Sequence, residues 1–232
     1  MVMMTEVWHR LFADLGRRLD DYLSLVPCDP NYRLTFADGA TLEMTTRRDQ
    51  LVANLEAIEP GCGPRVAAFL AHTGELYRRG VPFISRNMDR ASAMLGAGGL
   101  GLRYGVSALG DLQRLVRSYF RDPRLQQALT FQTLYLGLSP YHALGVYGLL
   151  PYAELNGGVH YPMGGMHQLA RALERLGTDF GATYEYGTAV TRFAKRDSAV
   201  TGVELADGRR LDADLVISNA DQIGRASCRE RV

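Results

Sequence analysis

The residues Gly96-Ala97-Gly98-Gly99-Leu100-Gly101 spell GxGxxG, the spacing that lets a backbone wrap the pyrophosphate of a dinucleotide. That chemistry needs a β-strand in front and a helix behind, so that the phosphates meet a helix N-terminus. The stretch Asn87-Met88-Asp89-Arg90-Ala91-Ser92-Ala93-Met94 is charged, not β-branched, and predicts no strand. The motif therefore reads as a glycine-rich connector. His9, His72, His142, His160 and His167 have no HExxH or related spacing, so no metal is expected. Cys28, Cys62 and Cys228 form no CxxC pair, which argues against zinc and a disulfide framework and fits a reducing compartment. Neither GxSxG nor a kinase-like set occurs. Acidic and basic side chains are abundant, but spacing alone selects no acid–base pair.

The elements that must position any chemistry are legible from periodicity. Val7, Trp8, Leu11, Phe12, Leu15, Leu19, Tyr22 and Leu23 recur at helical spacing and predict one amphipathic helix over 5–25, stopped by Pro27 and Pro30. Residues 32–36 alternate, Asp38-Gly39 is a two-residue turn, and 41–44 answers it, predicting a β-hairpin over 32–44. Helices are predicted over 48–58 and 64–79, separated by Pro60-Gly61. Asp122-Pro123 and Ser139-Pro140 each put a capping side chain before a proline at the first helical position. They open apolar stretches at 124–138 and 141–150, which with 108–120 predict a helical layer. Beyond Asn156 come a short strand at 158–161, a helix at 166–176, and strands at 182–186, 189–194, 199–205 and 214–218, with a turn at Asp207-Gly208. Short strands in this density suggest the edge of an α/β domain.

Composition narrows the function classes. With 47% hydrophobic and 22% charged residues, the 232-residue chain can build a real core. A net charge of +1 gives no electrostatic case for nucleic acid. No apolar run approaches the roughly 20 residues of a membrane span, and the start lacks the layout of a secretory signal. The last ten residues, Ile223-Gly224-Arg225-Ala226-Ser227-Cys228-Arg229-Glu230-Arg231-Val232, break with everything before them. They read as the translation of a sequencing adapter, so 223–232 is expected to be a non-native tail.

Three stretches carry a family resemblance. They are Phe131-Gln132-Thr133-Leu134-Tyr135-Leu136-Gly137-Leu138-Ser139-Pro140, Gly157-Gly158-Val159-His160-Tyr161-Pro162-Met163-Gly164-Gly165-Met166, and Ala213-Asp214-Leu215-Val216-Ile217-Ser218-Asn219-Ala220-Asp221. In order and spacing they are similar to bacterial-type phytoene desaturases, and Asp29-Pro30-Asn31-Tyr32-Arg33 and Val81-Pro82-Phe83-Ile84 also resemble that family. The resemblance runs over residues 5–222.

It implies a mixed α/β (α+β) fold of the FAD-dependent amine-oxidase type. Residues 1–162 would supply mostly the helical substrate-binding portion and 163–222 part of the FAD-binding domain. The N-terminal βαβ unit with the true glycine fingerprint and the C-terminal part would be missing, so this chain alone is expected to bind FAD only loosely and to be inactive. The implied reaction moves a hydride from a long apolar carotenoid to flavin. By resemblance, Val190 would contact the adenine half through its backbone, and Asn219, Ala220 and Asp221 would approach the cofactor at a strand end. Gly164 and Gly165 either present N–H groups to the ligand or make a tight strand-to-helix turn. Phe131, Leu134, Tyr135 and Tyr147 would line an apolar substrate tunnel, with ordinary core as the alternative. The family's acid–base segment follows Val81-Pro82-Phe83. Ungapped, Met88 falls where the family carries aspartate, and Asp89, one residue later, is the catalytic candidate. A cytoplasmic protein attached peripherally to membrane is implied. Competing readings are a related oxidoreductase acting on another apolar substrate, such as a retinoid, and a non-catalytic lipid-binding protein that kept the fold.

Overall fold

The computed structural model describes residues 1–84, 110–197 and 199–220. It divides into two compact units, Met1–Arg175 and the residues from Leu176 onward. The GxGxxG segment, Asp89, Asp221 and the 223–232 tail lie outside the described residues.

The first unit opens with helix α1 (Thr5–Asp14). The single helix predicted over 5–25 stops early, because Gly16 adopts φ +68°. Arg17 N–H then bonds the Phe12 carbonyl and Gly16 N–H the Ala13 carbonyl, which closes the helix in a Schellman motif that only glycine adopts without strain. A 3-10 turn (Leu19–Asp21) follows and packs Leu19 and Tyr22 against Phe12. The residues expected to end the helix, Pro27 included, instead form strand β1 (Leu25–Cys28). It pairs antiparallel with β4 (Val159–Pro162), and Val2 bridges the other edge of β4 at His160. The predicted hairpin is present as β2 (Tyr32–Thr35) and β3 (Thr41–Met44), in register from Tyr32 opposite Met44 to Thr35 opposite Thr41.

Helices α2 (Arg48–Glu56) and α3 (Gly63–Ile84) follow as expected. Then come α4 (Leu112–Arg117) and α5 (Pro123–Ala128). The Asp122 side chain accepts from Arg124 N–H with Pro123 in the first turn, so the predicted cap is made. The long helices expected over 124–138 and 141–150 are not formed. The chain runs instead through 3-10 turns at Phe131–Leu136 and Gly145–Gly148 into α6 (Leu149–Gly157). Gly137 at φ +66° ends the first turn, and the Ser139 hydroxyl accepts from Tyr141 N–H at 3.4 Å without nucleating a helix. Apolar composition alone did not distinguish a helix from turns pinned by packing.

Leu42 and Met44 of β3, Leu51 and Leu55 of α2, Val66, Phe69 and Leu76 of α3, and Leu112, Val116, Phe120, Leu125 and Leu129 form one core. Phe69 meets Tyr119 and Phe120 edge-on, with centroids 5.5 and 5.6 Å away. Helix α6 lies close on α3 because Gly74 has no side chain: a Cβ there would stand 2.6 Å from the Tyr152 ring.

Helix α7 (His167–Asp179) leads into the second unit. There β5 (Val190–Arg196), β6 (Ala199–Leu205) and β7 (Arg210–Asp212) form an antiparallel meander turning through Asp207-Gly208. Gly202 lets β6 and β7 approach, since a Cβ would overlap the Leu211 carbonyl oxygen. The strands expected at 182–186 and 214–218 are irregular. At 184, the Tyr ring packs over the helical Gly177 instead of joining a ladder. Leu215 and Ile217 keep a strand-like alternation but stand 75% and 86% exposed, with no strand beside them among the described residues; a strand forms only where a neighbour takes its hydrogen bonds. Among the described residues no helix is long and apolar enough to cross a membrane.

Candidate functional site

The segment Phe131–Leu136 passes from core to surface within two 3-10 turns. Gln132 and Thr133 point inward and are buried, whereas Leu134, Tyr135 and Leu136 are 67%, 49% and 50% exposed. Phe131 is half-buried and meets both Tyr32 (5.2 Å) and Tyr135 (5.9 Å) edge-on. Three of the four predicted tunnel residues, Phe131, Leu134 and Tyr135, therefore share one short wall. Tyr147 lies on the later 3-10 turn and packs against the main core. Exposed Tyr141 and Leu144 add apolar surface to the loop between the two turns.

Beneath that wall sits a polar cluster that periodicity did not flag. Glu154, on α6, is 1% exposed. Its Oε2 accepts from the Tyr32 hydroxyl at 2.8 Å and from Gln132 Nε2 at 3.0 Å. Asn31 Nδ2 donates to the Glu154 carbonyl at 2.8 Å, and Asn31 Oδ1 accepts from Val159 N–H, which ties β4 to the same point. Burial pushes the Glu154 carboxyl above its ordinary 4.5, against the lowering pull of Gln132, Tyr32 and Tyr135. Burial and the neighbouring acid push the Tyr32 phenol far up and that of Tyr135 to about 12. Tyr135 faces the carboxyl without closing a bond of regular geometry, so Glu154 Oε1 has no partner, and neither has Gln132 Oε1. A signal for this cluster existed: Asn31 and Tyr32 belong to the Asp29–Arg33 motif, and Glu154 is an isolated acid in the apolar run Leu149–Leu155. Asp29 of the same motif accepts from Thr45 Oγ1 at 2.6 Å and pairs with Arg47 at 2.9 Å, anchoring the entry to the hairpin.

Gly164 and Gly165 lie between β4 and α7 at φ +87° and +98°, conformations that favour glycine. A Cβ at Gly165 would meet only the Tyr161 hydroxyl, at 3.8 Å, so this backbone is open on its outer face. It leads directly into a 13-residue helix, and the turn is closed by its own backbone: Gly165 N–H donates to the Pro162 carbonyl at 2.9 Å, Gln168 N–H to the Gly165 carbonyl at 3.0 Å and Leu169 N–H to the Met166 carbonyl at 3.1 Å. In the second unit Val190 opens β5 and is 56% exposed. Asn219 and Ala220 follow an irregular, exposed segment in which Ala220 N–H donates to Ser218 Oγ at 3.4 Å. Among the described residues no three His, Cys, Asp or Glu side chains converge on a point that could hold a metal.

The family model for flavin containing amine oxidoreductases matches residues 9–224. The chain belongs to that family. It is 39% identical over 222 residues to a zeta-carotene-forming phytoene desaturase of Myxococcus xanthus, covering 95% of this chain and 43% of that protein. It is 37% identical to a hydroxyneurosporene desaturase of Cereibacter sphaeroides (95% of this chain, 45% of that protein) and 33% identical to a phytoene desaturase of Cercospora nicotianae (96% and 37%). The chain thus spans less than half the length of these curated relatives. The cofactor implied by the family is FAD; the positive-φ backbone at Gly164-Gly165 is open to solvent, while its Gly165 N–H and those of Gln168 and Leu169 are taken by local carbonyls.

Proposed function

We propose that this chain is part of an FAD-dependent desaturase acting on a long apolar carotenoid of the phytoene type. The observation that carries the substrate reading is the exposed apolar wall Phe131–Leu136, where three consecutive large apolar side chains, Leu134, Tyr135 and Leu136, stand out beside the main core. A hydrocarbon offers no polar handle, and burying each CH₂ against such a wall yields about 0.8 kcal/mol. Phe131, Leu134 and Tyr135 would hold the chain, with Tyr147 fixing the neighbouring turn from the core side. Residues 1–162 would supply mostly substrate-binding structure and 163–222 part of the flavin domain. Gly164, Gly165, Val190, Asn219, Ala220 and Asp221 would meet the cofactor through backbone. When bound, the flavin supplies the hydride acceptor. Asp89 is the proposed acid–base residue. The exposed Leu134, Tyr135, Leu136 and Tyr141 further support a peripheral encounter with a bilayer, from which so apolar a substrate would be drawn, in a cytoplasmic protein.

The test is anaerobic mixing of the FAD-loaded protein, expressed from the longer reading frame that contains this chain, with phytoene in liposomes. Bleaching of the oxidised flavin absorbance is the expected result, slowed in Asp89→Asn. A protein that binds FAD but is not reduced by phytoene or a partly desaturated carotene would overturn the substrate reading.

A further inference from the structure

The exposed apolar wall stands directly on a buried acid. Glu154 Oε2 already receives two donors, Tyr32 O–H and Gln132 N–H, and so plays the part of a carbonyl oxygen. Oε1 accepts nothing, and Gln132 Oε1 in the same cluster is equally unpartnered, so two buried acceptor oxygens lack a donor. An ionised carboxylate has no proton to give and would leave both oxygens unsatisfied. A carboxylic acid, with one O–H and one C=O, matches the site. The groups that act on Glu154 are Tyr32 from β2 and Gln132 and Tyr135 from the 3-10 turn, all neutral. Helix α3, packed on α6, turns Tyr77 toward Tyr152 and Glu6 rather than toward Glu154. Among the described residues no cation compensates a buried negative charge there, an arrangement that drives such groups to neutralise.

We propose that Glu154 is the positioning residue of the Phe131–Leu136 wall and that it acts as a neutral carboxylic acid. Its carbonyl oxygen holds Gln132 on the inner side of the turn, and its O–H reaches toward Tyr135 on the outer side. Loss of the proton removes that donor and places an uncompensated charge beneath the wall, which loosens it. The inference rests on the proposed function only for its consequence, the shape of the surface offered to a hydrocarbon. The hub itself can be tested without flavin or substrate.

Two readouts on the full chain decide the matter. The first is infrared difference spectroscopy at neutral pH, wild type against Glu154→Gln; a carbonyl stretch of a protonated carboxylic acid is expected in wild type and lost in the variant. The second is amide hydrogen exchange of 131–136 as a function of pH, corrected for intrinsic rate. In wild type, protection should fall by about tenfold as Glu154 ionises on the alkaline side of its ordinary range. Glu154→Gln mimics the neutral acid, so its wall should stay protected and become insensitive to pH. Tyr135→Phe, at a half-exposed position, should keep the acid band but show the loosened wall at every pH. Absence of the acid band, or a Glu154→Gln wall as loose at neutral pH as the alkaline wild type, overturns the proposal. Should Glu154→Gln fail to fold, Tyr135→Phe still decides it: a wall indistinguishable from wild type at neutral pH sinks the idea. Failure of phytoene to reduce the flavin would leave these results untouched, so the two readings fail separately.

Discussion

At the scale of residues, two acids in the first unit, one buried and one partly buried, behave in opposite ways because of what surrounds them. Glu154 meets only neutral donors and burial raises it. Glu59 is also desolvated, but its carboxylate accepts from the Arg121 and Asp122 N–H groups, both at 2.9 Å, and pairs with Arg65, which together hold it below the usual range. A group lowered in the folded state contributes stability above its unfolded pKa and loses it as pH falls through the folded value. Glu59→Ala should therefore cost about 2 kcal/mol near neutrality. In urea denaturation the gap between wild type and variant should close as the solution is acidified. A gap independent of pH would show that the carboxylate charge is not what holds the α4–α5 connection. The raised acid has the opposite sign: the contribution of Glu154 is full at low pH and declines as pH rises through its folded pKa. Neither role was readable from spacing. Glu59 sits next to Pro60-Gly61 in what reads as a helix stop, and its two backbone donors, Arg121 and Asp122, are more than sixty residues away in the chain.

At the scale of elements, the glycines that matter are those where two backbones or a backbone and a ring come close. Gly74 on α3 admits the Tyr152 ring of α6. Gly74→Ala should force that ring or the helix aside and destabilise by about 1–3 kcal/mol, the usual cost of overpacking. Because α6 carries Glu154, the variant should also raise hydrogen exchange at 131–136. A thermal melt unchanged from wild type would mean that Tyr152 swings out freely. The hairpin over 32–44 and helices α2 and α3 were legible in the sequence because turn chemistry and period are local properties. The 5–25 helix, the 124–150 helices and the strands at 182–186 and 214–218 were misread for one common reason. Apolar spacing reports which side of a segment is buried, while the Schellman glycine at 16, the left-handed Gly137 and the presence of a pairing neighbour decide which backbone conformation buries it.

At the scale of the whole molecule, the exposed apolar residues of the loop region set an expectation about surfaces. Leu134 and Tyr141 are 67% and 66% exposed. If they meet a bilayer, replacing them should weaken that contact without unfolding the core, since neither fills it. The double variant Leu134→Glu with Tyr141→Glu should sediment with phosphatidylcholine vesicles at least about threefold less than wild type, from the loss of two apolar anchors and the gain of two charges. Circular dichroism should stay unchanged. Equal sedimentation would remove this surface from any membrane role and leave it to substrate alone.

By itself, the sequence determined the family, the hairpin and the Asp122 cap, and it offered the turn at 164–165 as one of two readings. Each is written in neighbouring residues whose conformational limits do not depend on the rest of the chain. Its local pattern also argues against a fingerprint at 96–101, since no strand is predicted before it; that segment lies outside the described residues. Tertiary structure alone decided that Phe131, Leu134 and Tyr135 form one wall while Tyr147 turns to the core. It alone brought Tyr32, Gln132 and Glu154 within hydrogen-bonding distance across about a hundred residues of chain. Distances of that kind are set by how helices and strands pack, and the charge state of a carboxyl follows from what packing leaves around it. No spacing rule carries that information.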